Sequence, residues 1–386
     1  MLEFENNVPV HVVFGLKKLE TIGVHVKAHG RKALIVTTGN FFEKNGLVGR
    51  IQGYLSAEGI QSEYFYDVSP NPHLHEALAG AEFAKKTGCD LVIGLGGGSA
   101  IDGAKCIAVA VAQGGEDIWD YWMGKKTIYA ALPIIAVTTT SGTGSHISPY
   151  SVITNTETGE KPGAGSPLLH AKVAIVDPEL MISLPKKMTA STGYDVLAHA
   201  IEAYTSKSAT PFSDLYCEKS IKLVGKYLRR VVNDGSDVEA RVMMALADTF
   251  SGYGISIAVI TMCHAMAHAV GGVCNTVHGE SLAAMTPAAM RHSMNKSPEK
   301  YKNIGAWLEG YDVVPADWTT ENTVQAVEAV IRDIGMYAPL STQGVKREDF
   351  DKIIEGTIGY MAGGCEIDPA APISADDVRK VLEAAF

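Results

Sequence analysis

The run Asp90-Leu91-Val92-Ile93-Gly94-Leu95-Gly96-Gly97-Gly98-Ser99-Ala100-Ile101-Asp102 decides how the rest of the chain is read. Residues 90–95 are apolar without alternation, as in a strand buried on both faces of a parallel sheet. Three glycines follow, and residues 99–112 then carry a helical pattern. Glycine at the carboxyl end of a parallel strand lets backbone N–H groups approach a phosphate closely. The helix behind it adds unpaired N–H donors and the positive end of its dipole. Such a turn also serves as a plain strand-to-helix connection, and this one is not GxGxxG.

Outward from it the pattern repeats. Lys32-Ala33-Leu34-Ile35-Val36-Thr37 reads as another buried strand, followed by a helical stretch near 42–57, a strand near 60–66 and a helix over 73–86. Residues 132–137 form a further strand, and Val173-Ala174-Ile175-Val176-Asp177-Pro178 is the last of this half. Strands alternating with helices predict a parallel sheet covered on both faces. After Leu184-Pro185 the character changes: residues 188–206, 211–230, 237–272, 280–293, 297–309, 319–335, 346–362 and 374–385 are helical in pattern, with Gly and Pro between them. The expected organisation is an α/β dinucleotide-binding domain over residues 1–183 and an all-helical domain over residues 184–386.

Composition bounds the function. The 386 residues, 46% hydrophobic and 20% charged, suit two globular domains. A net charge of −10 argues against a nucleic-acid partner. No apolar run approaches the ~20 residues of a membrane helix. The acidic start, Met1-Leu2-Glu3-Phe4-Glu5, is unlike a secretory signal. Cys89, Cys106, Cys217, Cys263, Cys274 and Cys365 form no CxxC pair, which fits a reducing cytoplasm.

A second loop supports nucleotide binding. After the strand at 132–137 comes Thr138-Thr139-Thr140-Ser141-Gly142-Thr143-Gly144-Ser145, whose hydroxyls and glycines suit ribose and phosphate. In the helical half, Asp195 and His199 stand at i, i+4 and share a helix face. His264, His268 and His278 lie in mostly apolar sequence, where imidazoles are costly to bury without partners. One carboxylate and three imidazoles complete a tetrahedral shell, or an expandable one that admits a substrate oxygen. His264 and His268 share a face, so spacing leaves open which of them ligates. The lack of a thiolate argues against a structural zinc site and suits Fe²⁺ or Zn²⁺ acting as Lewis acid. The remaining histidines, His73 and His75 among them, read as solvated or bland.

Together these segments resemble the iron-dependent (group III) alcohol dehydrogenase family, in several separated motifs in order: Asn71-Pro72, Gly96-Gly97-Gly98-Ser99 with Asp102, Thr139 to Ser145, Ile175 to Leu180, Thr192 to Tyr204, and His264 to His268 with His278-Gly279-Glu280. The resemblance implies a Rossmann-like α/β half and a helical half, the dehydroquinate synthase-like arrangement, with cofactor and metal in the cleft between. It implies Asp195, His199, His264 and His278 as metal ligands and His268 as a catalytic group near nicotinamide and substrate. Asn71, Gly97, Gly98, Ser99, Asp102, Thr139, Thr140, Thr143 and Lys161 match positions around the dinucleotide. Members are commonly homodimers or larger assemblies.

Four departures from the family pattern stand out. His146 replaces the Glu of the usual SGTGSE loop, Ile255 and Ile257 replace Phe and Asn, and Gly364-Cys365-Glu366-Ile367-Asp368-Pro369-Ala370 replaces a segment closer to CxxTNPR. Thr38 stands where NAD-preferring members often carry Asp, so a 2′-phosphate is not repelled and NADP(H), or both cofactors, is expected. The expected reaction is hydride transfer between a small alcohol or its aldehyde and nicotinamide, with His268 and a ribose hydroxyl relaying the proton. Glycerol dehydrogenase or hydroxyacid–oxoacid transhydrogenase activity is the near alternative. A dehydroquinate synthase-like lyase would need Lys or Arg near 195–202 and 260–280, and neither is there. A non-enzymatic protein retaining the fold is disfavoured by the intact ligand and loop residues.

Overall fold

The computed structural model describes residues 3–113, 117–361 and 373–386. The segment from Gly364 to Ala370 therefore lies outside the described residues. The chain divides into two units, one formed by Val8–Thr140 and Ser145–Met181, the other by the N-terminal residues up to Asn7, Ser141–Gly144 and Ile182–Phe386.

The first unit is built on strands β1 (His11–Phe14), β2 (Lys32–Val36), β3 (Gln61–Phe65), β4 (Leu91–Gly96), β5 (Ile134–Thr138) and β8 (Val173–Val176). They form one six-stranded sheet in the order β1-β8-β5-β4-β2-β3, every pair parallel. A small antiparallel pair, β6 (Tyr150–Val152) and β7 (Gly163–Gly165), stands apart from it. Helices α1 (Ile22–Val26), α2 (Phe41–Lys44), α3 (Leu47–Ala57), α4 (Leu74–Thr87), α5 (Gly98–Gln113) and α6 (Trp119–Trp122) complete the unit. Both faces of the sheet are apolar because successive strand residues feed two cores. Leu34, Val36 and Val92 pack with α4 and α5, whereas Ala33, Ile35 and Ile93 pack with α1 and α3. Each such Leu, Ile or Val contributes roughly 1.5–3 kcal/mol by leaving water.

The crossover from β2 runs outward to β3, and the crossover from β4 runs the other way to β5. The order thus reverses between β2 and β4, and their carboxyl ends carry Thr37–Asn40 and the glycine turn. Ligands of open α/β sheets bind at such a reversal. Gly96 takes φ +148, and a Cβ there would stand 2.8 Å from the Ala100 side chain. The turn is therefore closed to other residues.

The second unit holds α7 (Lys186–Thr205), α8 (Pro211–Asn233), α9 (Val238–Ala258), α10 (Met262–Cys274), α11 (His278–Ser293), α12 (Pro298–Leu308), α13 (Thr320–Asp333), α14 (Phe350–Tyr360) and α15 (Ala375–Ala385). Helix α7 is buried all round from Gly193 to Thr205 and forms the centre on which α8 and α9 pack. Thr210, with Pro211 at the first helical position, caps α8, and the Asp237 carboxylate caps α9.

Two expectations are corrected. The helical stretch near 42–57 is two helices, α2 and α3, parted at Asn45-Gly46, where Gly46 takes φ +81. The helix read over 237–272 is two helices, α9 and α10, bent by 101°. The break carries Val259 at φ +58, a strained conformation for a β-branched residue. The strain persists because a buried carboxylate fixes the next helix start, as described below. Sequence periodicity passed over this break because residues 255–263 are apolar on both sides of it. Strands β1, β6 and β7, each of three or four residues, were too short for a periodic signal. Among the described residues no single helix is long and apolar enough to cross a membrane.

Candidate functional site

In the helical unit Asp195, His199 and Glu202 stand at i, i+4 and i+7 on α7 and share one face. All three are buried. The donor atoms of Asp195, His199 and His264 lie within 4.8 Å of one another. His264 Nε2 is 3.2 Å from Asp195 Oδ1, and His278 Nε2 is 3.8 Å from the same oxygen. The His199 and His264 rings stack with centroids 4.2 Å apart. His278 opens α11, two residues earlier than its sequence pattern suggested, and is half-buried. The four sequence-derived ligands thus converge.

Behind the imidazoles lie their orienting partners. Glu202 accepts from His264 Nδ1 at 2.7 Å, from the Thr261 amide at 2.6 Å, from Thr261 Oγ1 at 2.9 Å and from the His264 amide at 3.2 Å. One carboxylate therefore caps the start of α10 and aims a ligand ring, which offsets the strain at Val259. His199 Nδ1 lies 3.2 Å from the Gly142 carbonyl. A proton donated there leaves Nε2 with the lone pair a cation needs.

The electrostatics follow from this packing. Burial alone would lower the His264 imidazole, but Glu202 and Asp195 outweigh it and bring it up to about 10. Burial pushes His199 down to about 4 against the pull of Asp195. Burial opposes ionisation of Asp195, yet His199 and its neighbours hold that carboxyl down at about 2. One ionised carboxylate and three imidazoles, with Glu202 behind one ring, form an N/O donor set that fits a divalent transition cation.

His268 does not join that cluster. Its ring lies 5.4 Å from His278 and 4.7 Å from Tyr360, edge-on to both. Of the two histidines that share this face, His264 is the one whose donor atom lies beside Asp195 and His199. A further group, His73, His75 and Glu76, also brings donor atoms within 4.8 Å, but on the surface.

In the α/β unit, Gly97 and Gly98 lead from β4 into α5, with Ser99 in its first turn. Asn71, in the left-handed region at φ +58, donates its amide to Ser99 Oγ at 3.3 Å and accepts Lys161 Nζ on Oδ1 at 2.8 Å. Thr139 donates its amide to the Gly96 carbonyl at 3.0 Å, and the Thr138 hydroxyl bonds the Thr140 carbonyl. Thr38 follows β2 and bridges Asp67 through its backbone. Asp102 is engaged by Ser145 Oγ at 2.5 Å and the Val152 amide at 3.0 Å. Thr143 lies half-buried in the segment Ser141–Gly144, which belongs to the helical unit.

Two residues here carried no role at the level of sequence. Lys105 is fully buried and donates to the carbonyls of Ser145, Ser148 and Tyr150 at 2.7–2.9 Å, pinning the loop that follows the threonines. A lysine in an otherwise apolar helix is the signal that could have found it. The Glu202 signal was its i+7 spacing from Asp195. His146 is buried, and burial with the Lys105 charge pushes its imidazole down to about 3, so it is neutral. It brings no charge in place of the family's Glu.

A profile described as iron-containing alcohol dehydrogenase matches residues 9–178, and that family's C-terminal profile matches residues 189–386. The chain is 31% identical to an NAD-dependent methanol dehydrogenase of Bacillus methanolicus over 98% of this chain and 99% of that one. It is 36% identical to a 1,3-propanediol dehydrogenase of Citrobacter freundii over 91% and 92% of the two chains. The crystal structure of an archaeal halo-thermophilic alcohol dehydrogenase from a Red Sea brine pool superposes with a TM-score of 0.94 at 36% identity, over the full length of both chains.

Proposed function

The chain belongs to the iron-containing alcohol dehydrogenase family, and from that premise we propose that it transfers hydride between small alcohols or aldehydes and a nicotinamide cofactor at a cation held by Asp195, His199, His264 and His278. The convergence of three donor atoms within 4.8 Å, each imidazole backed by a fixed acceptor, carries this reading. A cation there supplies Lewis-acid polarisation of the substrate oxygen, and the nicotinamide gives or takes the hydride.

The protein's own groups do the rest. Asp195 provides a negative charge that its neighbours keep ionised, and Glu202 and the Gly142 carbonyl hold two rings in place. His268, beside His278 and Tyr360, is the group we assign to proton relay between substrate and solvent. Gly97, Gly98 and Ser99 present backbone donors to the dinucleotide phosphates. Asn71, Lys161, Thr139, Thr140 and Thr143 bind around it, and Asp102 holds the neighbouring loop. We assign the dinucleotide to residues 1–183 and the cation to residues 184–386. Among the described residues Cys89, Cys106, Cys217, Cys263 and Cys274 are free thiols, which supports a cytoplasmic setting, and assembly as a homodimer accords with the family.

Thr38 carries the cofactor preference in this reading. Without a carboxylate there, NADP(H) is accepted beside NAD(H), and Thr38→Asp moves the kcat/KM ratio toward NADH by about tenfold. A wild-type enzyme that strongly prefers NADH would refute this assignment. The whole proposal is tested by metal analysis beside an anaerobic screen of alcohols and aldehydes with both cofactors. Turnover that persists in fully metal-free protein would overturn it. The same screen separates Fe²⁺ from Zn²⁺ as the active ion.

A further inference from the structure

Asp248 lies on α9 and is 1% exposed. Burial, aided by the nearby Asp195 charge, pushes its carboxyl up to about 7, against the amides of Gly142 and Gly144. The Gly144 amide reaches Asp248 Oδ1 at 2.9 Å. A carboxylate is costly to keep in such a place, so what it holds matters.

What it holds is the turn whose carbonyl aims His199. Gly144 takes φ +61, and a Cβ there would stand 2.7 Å from Gly252 Cα, one helical turn beyond Asp248. A Cβ on Gly142 would stand 2.7 Å from the Thr192 Cβ, two turns before His199 on α7. The turn thus lies flush on both helices, with its amides toward Asp248 and the Gly142 carbonyl 3.2 Å from His199 Nδ1. We infer that Asp248 is a positioning residue for the metal centre: its carboxylate clasps the Gly142–Gly144 turn, and the turn fixes the ring of His199. Whereas His264 is aimed directly by Glu202, His199 is aimed by backbone that needs a clasp of its own.

This inference rests on the metal-ligand reading above. The test uses the full chain, stripped of metal and titrated with Zn²⁺ against a chromophoric chelator, as wild type, Asp248→Asn and Asp248→Ala. The expected result is Zn²⁺ binding weakened about 10- to 100-fold by Asp248→Ala. Asp248→Asn, which keeps one carbonyl acceptor, falls between it and wild type. A fall in Tm of the stripped Asp248→Ala protein with unchanged Zn²⁺ affinity would overturn the inference, since a purely structural clasp behaves that way. Should Asp248→Ala fail to fold, two measurements remain decisive. Asp248→Asn must bind Zn²⁺ more weakly than wild type, and Zn²⁺ must slow amide exchange across residues 141–145 of the wild type. Equal binding, or exchange indifferent to Zn²⁺, overturns the inference. A wild type that binds no Zn²⁺ or Fe²⁺ overturns the ligand reading itself and this inference with it.

Discussion

Among the described residues two clusters bring two histidines and a carboxylate within 4.8 Å: Asp195, His199 and His264 in the helical unit, and His73, His75 and Glu76 in the α/β unit. They differ in what lies behind the donors. In the buried cluster each imidazole has its Nδ1 engaged, by Glu202 or by the Gly142 carbonyl, and Asp195 keeps its charge. In the surface cluster the Glu76 oxygens already accept from the Ser69 amide at 3.0 Å, from Ser69 Oγ at 2.5 Å and from the His73 amide at 3.0 Å. It also sits at the start of α4, where the helix dipole disfavours a cation. Similar donor groups at similar distances are backed by orienting partners in one place and serve as a helix cap in the other. Ligand geometry is decided by the partners of the ligands.

The largest expected effect breaks the comparison outright. His264→Ala removes bound metal and lowers kcat/KM by about 10³-fold or more, whereas His75→Ala leaves metal content unchanged. Equal metal loss in both, measured by elemental analysis, would erase the distinction. Next in size are the two carboxylates behind the rings. Glu202→Gln weakens metal binding about 10- to 100-fold, and Glu76→Gln costs about 1 kcal/mol of stability with metal binding intact. Chelator competition and urea unfolding separate the two outcomes.

The last comparison sets two buried imidazoles, His264 and His146, side by side. His264 is drawn up to about 10 by Glu202 and Asp195, whereas burial and Lys105 push His146 down to about 3. An unfolded chain protonates His146 near 6.5 while the folded chain does not. The fold therefore keeps this share of its stability above pH 6.5. It loses it at roughly 1.4 kcal/mol per pH unit as the pH falls toward 3. His146→Gln should flatten the slope of unfolding free energy against pH between those limits. An unchanged slope in urea titrations would refute the assignment.

Much of this was legible in the residues. The sheet strands β2, β4, β5 and β8 are apolar runs ended by turn residues, and Asp195 with His199 announces itself by i, i+4 spacing on an apolar helix. Which of His264 and His268 stands beside Asp195 was not legible, because both share a helix face. What separates them is Glu202, brought against His264 from sixty-two positions earlier in the sequence. The same carboxylate caps α10, so one tertiary contact hid both the helix break at 259–261 and the ligand assignment from any local reading. The orienting role of Gly142 was likewise invisible, since a backbone carbonyl has no sequence signature.

Lys105 has a practical consequence. Its amine is fully enclosed, and burial brings it down to about 8. Held there, it is out of reach of an acylating reagent. It takes up label only when α5 lets go of the carbonyls of Ser145, Ser148 and Tyr150. Mass-spectrometric timing of that single modification would clock the opening of the α/β unit, independent of any catalytic assay.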